Sequence, residues 1–430
     1  MAFLGIINSD PEIKKLTEMA FSKTPVSAYD EIRFFSNEDE IQEFLIYDLP
    51  EIVVINFSDP SVNLDRIVSL IKGDHSFLNF GIVGLFRHEQ ANEETILGKY
   101  KDLNVLTLLD NNRLRTHLPK NIQIIEENYQ IIFQREFTKN LMDGGSGSFI
   151  IDNDLLAVPL FAGIGATIMA QRGLINPDNK MHLQLALGEL IINAVEHGNC
   201  GISYDEKTAS MENGFSVVDL VAEKCKNPDI AKKKVEFLWE IRNDKTLFTI
   251  RDEGNGFDVK AHLRKIAQQS DMSLHGRGIR MATMLSQELH YNAKGNQVTL
   301  VINHDSQIEG AVPEGFSQAT TLNVKPGDIV FTENEPSDFL YYIVSGKFTV
   351  YHNEKPVGFL TPRDIFMGEL AFLLNKKRTA TVKADSRGKL IMVDRKSFVN
   401  VIRNYPHYGI FLSKLLAKRL IRSNAFNASK

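Results

Sequence analysis

Three short polar segments in the middle of the chain constrain this sequence more tightly than anything else in it. The first is Glu189-Leu190-Ile191-Ile192-Asn193-Ala194-Val195-Glu196-His197-Gly198-Asn199, and apolar residues run at helical spacing across 183–195. Glu189 and Asn193, four apart, therefore project from one helix face. An Asn amide oxygen there can ligate Mg²⁺, and a Glu one turn earlier can orient or deprotonate a nucleophile. In the second segment, Asp252-Glu253-Gly254-Asn255-Gly256, Asp252 ends the apolar strand Leu247-Phe248-Thr249-Ile250. Gly254 and Gly256 let backbone pass close under a flat base, and the Asp carboxylate can accept the exocyclic amine of adenine. In the third segment, His275-Gly276-Arg277-Gly278, the glycines precede a helical run from Ile279, so free amides and a helix N-terminus can face phosphate. Taken singly, these are a solvated pair and two turns. Each of them supplies a group that a magnesium nucleotide needs.

The three segments resemble the N, G1 and G2 boxes of the Bergerat-fold (GHKL) ATPases. The resemblance implies an α/β sandwich that binds ATP and Mg²⁺ through Asn193, Asp252, Gly254, Gly256, Gly276, Arg277 and Gly278, with Asn193 as the magnesium ligand and Thr299 as the last adenine-contacting position. Sensor histidine kinases of this fold carry a phosphoacceptor His on a preceding helical hairpin, but residues 120–180 contain no His, and His117 sits in a loop-like Arg-Thr-His-Leu-Pro. The run Asn193-Ala194-Val195-Glu196-His197-Gly198 instead resembles the anti-sigma-factor serine kinases. That likeness implies Glu189 as general base for a Ser or Thr hydroxyl on a separate small antagonist protein, with a sigma factor as a further partner. Two other readings stay open: an ATP-dependent switch that captures a partner without chemistry, and an ATPase without a protein substrate. The long connection 201–240, with its Lys232-Lys233-Lys234 run, reads as a solvated helical insert.

A second constellation lies near the C-terminus. Phe366-Met367-Gly368-Glu369-Leu370-Ala371 is followed by Arg378-Thr379-Ala380-Thr381-Val382. An Arg in a partly buried pocket can grip the exocyclic oxygens of a cyclic phosphate, Glu369 can accept a ribose 2′-OH, and the amides of Gly368 and Ala371 open a short helix. The spacing resembles the phosphate-binding cassette of cyclic-nucleotide-binding domains, and Lys325-Pro326-Gly327-Asp328 and Tyr341-Tyr342-Ile343-Val344-Ser345-Gly346 match that family's earlier landmarks. This implies a β-roll (jelly-roll) with flanking helices. Gly368, Glu369, Leu370, Ala371, Arg378, Thr379 and Ala380 then hold cAMP or cGMP as an allosteric ligand. Thr379 after the Arg resembles cGMP-selective sites, whereas the strand 357–360 lacks the Arg that often accompanies it, which favours cAMP. The residues after the cassette, through 410–421, read as helices that swing over the ligand. No helix-turn-helix of several dozen residues follows them in this sequence, so no direct DNA binding is expected.

The first 120 residues alternate between strands at 3–8, 52–56, 81–86 and 105–109 and helices at 11–21 and 64–71. The alternation argues a doubly wound parallel sheet. It resembles a flavodoxin-like response-regulator receiver in which Asn56 stands where the phosphoacceptor Asp belongs, Asn8-Ser9-Asp10 replaces the acidic pair, and Phe86 replaces the switch hydroxyl. A pseudo-receiver serving dimerisation or partner docking is the expectation.

The chain is thus read as multidomain α/β and α+β: a receiver-like domain over 1–120, a helical linker over 121–148, an ATPase domain over 149–303, a linker over 304–317 and a cyclic-nucleotide-binding domain over 318–430. The linker is expected to hold an interdomain or dimer helix at 122–141, which would suit a homodimer, and a flexible break at Gly144-Gly145-Ser146-Gly147-Ser148. A net charge of −5 gives no general attraction to nucleic acid or anionic membrane. Two cysteines, and no apolar run of about 18 residues, suit a cytoplasmic protein that makes no use of a membrane.

Overall fold

The computed structural model describes residues 2–26, 28–73, 80–129, 132, 145–242, 244–259, 288–305, 314–316, 319–410, 412–413 and 416–417. The first layer is a five-stranded parallel sheet of β1 (Phe3–Ile7), β2 (Glu31–Phe35), β3 (Ile52–Asn56), β4 (Gly81–Phe86) and β5 (Val105–Asp110), ordered β2-β1-β3-β4-β5. That is the flavodoxin-like order. Its central strands are apolar on both faces because helices cover both: Leu4, Ile6, Val54 and Val83 join one core, and Ile7, Val53, Ile55 and Ile82 the other. The connecting helices are α1 (Pro11–Lys23), α2 (Glu38–Glu43), α3 (Leu64–Gly73), α4 (Glu93–Lys99) and α5 (Leu114–Glu127). Two readings need correction. β2 was missed, because Glu-Ile-Arg-Phe-Phe is a short edge strand with only intermediate burial. His117 is not in a loop but inside α5, whose Leu114, Leu118, Ile122 and Ile125 keep the helical period through Pro119 and lie fully buried.

The second sheet is β6 (Ser146–Ile151), β7 (Val235–Ile241), β8 (Lys245–Arg251), β9 (Glu288–Tyr291) and β10 (Gln297–Asn303), ordered β6-β7-β8-β10-β9 with antiparallel pairing throughout. Ser146 pairs with Glu240, so the expected break at 146–148 is strand. Gly147 is there for a packing reason: a Cβ on it would lie 2.2 Å from the Trp239 ring. Against this sheet lie α6 (Val158–Gln171) and α7 (Pro177–Asn193). The insert forms α8 (Tyr204–Glu212), α9 (Val217–Lys224) and α10 (Pro228–Ala231), pinned to the domain by a buried Glu196 carboxylate that receives Lys207 Nζ at 2.6 Å.

α6 is apolar around its whole circumference, so it must be covered on two sides. A Cβ on Gly165 would meet the Phe237 ring of the second sheet at 2.8 Å, and one on Gly163 would meet the Leu106 carbonyl oxygen of β5 at 1.7 Å. The helix pair α6–α7 therefore closes the open edge of the first sheet. Lys180 Nζ donates to Asn104 Oδ1 at 2.8 Å and Gln184 Nε2 to the Leu106 carbonyl at 3.3 Å, so side chains take the place of a sixth strand. Residues of both units share one apolar core.

The C-terminal unit is a sandwich of two four-stranded antiparallel sheets. One contains β11 (Thr320–Val324), β18 (Gly388–Asp394), β13 (Phe339–Ser345) and β16 (Phe366–Met367); the other contains β12 (Ile329–Phe331), β17 (Thr381–Ala384), β14 (Phe348–His352) and β15 (Lys355–Leu360). Tyr341, Ile343, Phe348, Val382 and Leu390 fill the space between them. α11 (Glu369–Leu374) follows β16, and α12 (Arg395–Asn404) lays Phe398 and Val401 on the other face of the first of these sheets. No helix among the described residues is long and apolar enough to cross a membrane.

Candidate functional sites

α7 buries Leu183, Leu187, Leu190 and Ile191, which turns Glu189 to solvent and leaves Asn193 half-buried on the same side. The helix then widens into a π-turn over Ala194–Asn199. This turn brings Gly198 onto the Asp252 loop. A Cβ on Gly198 would lie 2.3 Å from Asp252 Cγ, and one on Gly254 would lie 2.2 Å from the Gly198 carbonyl oxygen. Two glycines thus allow the ends of the first two polar segments to meet backbone to backbone. Asp252 Oδ1 accepts the Gly254 N–H at 2.8 Å, and among the described residues no hydrogen bond falls on Oδ2. Burial raises the Asp252 pKa above the ordinary carboxylate value, against the pull of the Gly254 amide and of Lys294 and Lys233.

The sequence reading missed two asparagines that hold this loop. Asn199, 1% exposed, accepts the Glu253 N–H on Oδ1 at 2.8 Å and donates from Nδ2 to Asn153 Oδ1 at 2.8 Å. Asn296 brackets Asp252 itself, its carbonyl accepting the Asp252 N–H at 3.0 Å and its Nδ2 donating to the Asp252 carbonyl at 2.8 Å. Asn199 lies inside the first polar segment, and its position there was the available signal. Gly276, Arg277 and Gly278 lie outside the described residues, as does most of the stretch between them and Gly256. Thr299 is not brought to the site. Val298 and Leu300 face the core, so Thr299 faces the opposite side of the sheet, where its hydroxyl meets Thr249 Oγ1 at 3.1 Å.

In the C-terminal unit the loop after α11 brings Arg378 to Gly368. The guanidinium is 3% exposed, donates from Nη1 to the Gly368 carbonyl at 3.0 Å and from Nη2 to the Phe339 carbonyl at 2.6 Å, and lies 4.3 Å from the Phe331 ring centroid. Its Nε is buried without a hydrogen-bond partner. A buried cation with a donor to spare is matched by an anion. Burial lowers the Arg378 pKa, with Tyr341, Glu335 and Asp338 opposing the shift. Gly368 has φ +76, and a Cβ there would lie 2.3 Å from Arg378 Nη1, so only glycine lets the Arg in. Glu369 and Ala371 are buried at the start of α11, Leu370 is 43% exposed, Thr379 is exposed and Ala380 half-buried.

At the C-terminal ends of β1, β3 and β4, Asn56 Nδ2 donates to Asn8 Oδ1 at 2.8 Å and Ser9 Oγ to Asp59 Oδ1 at 2.8 Å. Arg87 Nη2 pairs with Asp10 at 2.5 Å and Glu12 at 2.9 Å. The Asp10 carboxylate therefore already has a resident cation. Burial alone would raise its pKa, but Arg87 and the amides of Glu12 and Ile13 hold it below the ordinary value.

Comparison with known proteins bears on two of these three regions. The model of the cyclic nucleotide-binding domain family matches residues 321–405, and that of the histidine kinase-like ATPase domain family matches residues 157–302. The chain carries one domain of each kind. The cyclic-nucleotide-binding domain has relatives among eukaryotic kinases. The chain is 38% identical over 79 residues to the cAMP-dependent protein kinase type II regulatory subunit of Drosophila melanogaster (18% of this chain, 21% of that one). It is 43% identical over 74 residues to a cGMP-dependent protein kinase of Plasmodium berghei (17% and 8%). The chain thus spans less than a quarter of the length of either. Among solved structures, the Thermus thermophilus catabolite activator protein matches 26% of this chain and 55% of its own at 24% identity, with a TM-score of 0.25.

Proposed function

We propose that this chain is a cyclic-nucleotide-regulated, ATP-binding signalling protein whose ATPase domain phosphorylates Ser or Thr on a separate small protein of the anti-sigma-antagonist class. The observation that carries the ATP reading is the backbone contact of Gly198 with the Asp252 loop, beside which Asp252 Oδ2 takes no hydrogen bond from another described residue. Asn193 supplies the magnesium ligand and Glu189, exposed on the same helix, is placed to act on a hydroxyl arriving from outside. Regulation is supported by a contact between domains. Gly173, in the turn between α6 and α7, packs on Thr361, with a built Cβ 3.5 Å from Thr361 Cβ. Thr361 is buried and lies just before the turn that leads into the cassette. Occupation of the Arg378 site by cAMP or cGMP would reach α7, and with it Glu189 and Asn193, through that corner. A sigma factor as further partner, a homodimeric state and a pseudo-receiver role for the first domain belong to the same proposal. The β5 edge, however, is already covered by α6–α7 and is not available to a partner.

Titration calorimetry of the full chain with cAMP and cGMP, each with and without Mg-ATP, tests the reading. Binding of a cyclic nucleotide that shifts when ATP is present supports it, because coupling between two sites must be reciprocal. Independent binding of the two ligands overturns regulation. If Glu189→Gln retains all phosphotransfer to a candidate partner, the kinase assignment fails.

A further inference from the structure

Asn199 is bound to three elements at once. Its Oδ1 receives the Glu253 N–H, its Nδ2 donates to Asn153 just after β6, and its backbone carbonyl receives Lys233 Nζ at 3.1 Å from the end of the insert. Asn153 is oriented in turn, since its Nδ2 donates to the Ile230 carbonyl at 2.9 Å. The side chain is almost wholly removed from solvent, and its two polar atoms cannot exchange places without losing both bonds. What Asn199 fixes is the peptide directly after Asp252. From the other side, Asn296 fixes the peptides on either side of Asp252. The main chain of one carboxylate is thus clamped from two directions, while its Oδ2 is left without a described hydrogen bond.

The geometry points to Asn199 as a positioning residue for base selection: by holding the Asp252–Glu253 peptide it aims Asp252 Oδ2 at the amine of adenine and away from orientations in which another purine would serve. This rests on the ATP reading above. A carboxylate free to rotate would still be an acceptor but would discriminate poorly. A carboxylate fixed by its own backbone accepts in one direction only. Asn199 itself would touch no nucleotide and would act only through Asp252.

The test is Asn199→Asp in the full chain, which removes the donor to Asn153 that fixes the side chain's orientation, so that the remaining acceptor no longer holds the Glu253 N–H in one direction. ATP and GTP affinities are measured side by side by calorimetry, in the wild-type and in the Asp252→Asn background. The expected result is a loss of about tenfold or more in ATP affinity with GTP affinity little changed, so that the ATP:GTP ratio falls. In the Asp252→Asn background the same substitution should leave the ratio where it is, because a group acting through Asp252 has nothing left to aim. An unchanged ratio in the wild-type background overturns the inference, as does an equal loss in both backgrounds, which would mark Asn199 as a packing residue. If Asn199→Asp does not fold, Asn153→Ser removes the acceptor of the Asn199 amide from a less buried position, and an ATP:GTP ratio equal to wild type overturns the inference there. Failure of the wild-type protein to bind ATP at all would remove the ATP reading, a different result from wild-type ATP binding whose base preference ignores Asn199.

Discussion

Arg378→Lys keeps the positive charge of the cassette and removes its shape, and it separates an anion-binding Arg from a structural one. The guanidinium already gives one N–H to the Gly368 carbonyl and one to the Phe339 carbonyl, and it stacks on Phe331. Its buried Nε and the remaining Nη hydrogens are what a cyclic phosphate could take. A lysine has one nitrogen, which cannot serve two carbonyls on different segments and two phosphate oxygens together. A charge-assisted hydrogen bond is worth about 1.5–3 kcal/mol, and the substitution loses roughly one of them at the phosphate. Cyclic-nucleotide affinity should therefore drop roughly 10- to 150-fold, using about 1.4 kcal/mol per tenfold. Titration calorimetry of both proteins with cAMP and cGMP reads this directly, with a thermal melt to show that the variant is folded. A folded Lys variant that binds within about threefold of wild type would show that the guanidinium serves only the two carbonyls.

Other outcomes follow from the same geometry. Gly198→Ala forces a Cβ onto Asp252 Cγ, so ATP affinity should fall at least about tenfold and stability by about 1–3 kcal/mol, read by calorimetry and denaturant melts. Glu189→Gln should leave ATP affinity within a few-fold and lower phosphotransfer by about 10²–10⁴, read with radiolabelled ATP. Because burial raises the Asp252 pKa and the anion is the acceptor, ATP affinity should begin to fall, as pH drops, at a higher pH than the ordinary carboxylate value of about 3.9 predicts, and Asp252→Asn should abolish that limb. Burial, with the neighbouring Cys225 thiol, pushes Cys200 up to about 12; iodoacetamide near pH 8 should therefore label Cys225 first and Cys200 only on unfolding, as mapped by mass spectrometry.

The elements with strong periodicity were legible in the sequence: α7 from its buried leucines, β3 and β4 from unbroken apolar runs, and the cassette from Gly368, Glu369 and Arg378 at fixed offsets. The misses share a physical cause, which is that a contact distant in sequence decided the local state. Gly147 looks like linker until Trp239 is placed beside it. The same kind of contact buries Lys180 and Gln184, which bond to β5, 75 or more residues earlier in the chain. Thr299 is a different case. It was carried over from a family pattern, whereas alternation along β10 puts Val298 and Leu300 inward and the threonine outward.

The two-sided burial of α6 bears on how this protein can be taken apart. A fragment beginning at the glycine-serine stretch would carry every strand and helix of the ATPase domain and yet present the Gly163 side of α6 to water, with Lys180 and Gln184 facing nothing. A fragment ending before that stretch would show the bare edge of β5. The flexible break expected from the sequence is thus no cut in the solid body, and the first sheet supports α6 as a wall supports the beam set into it.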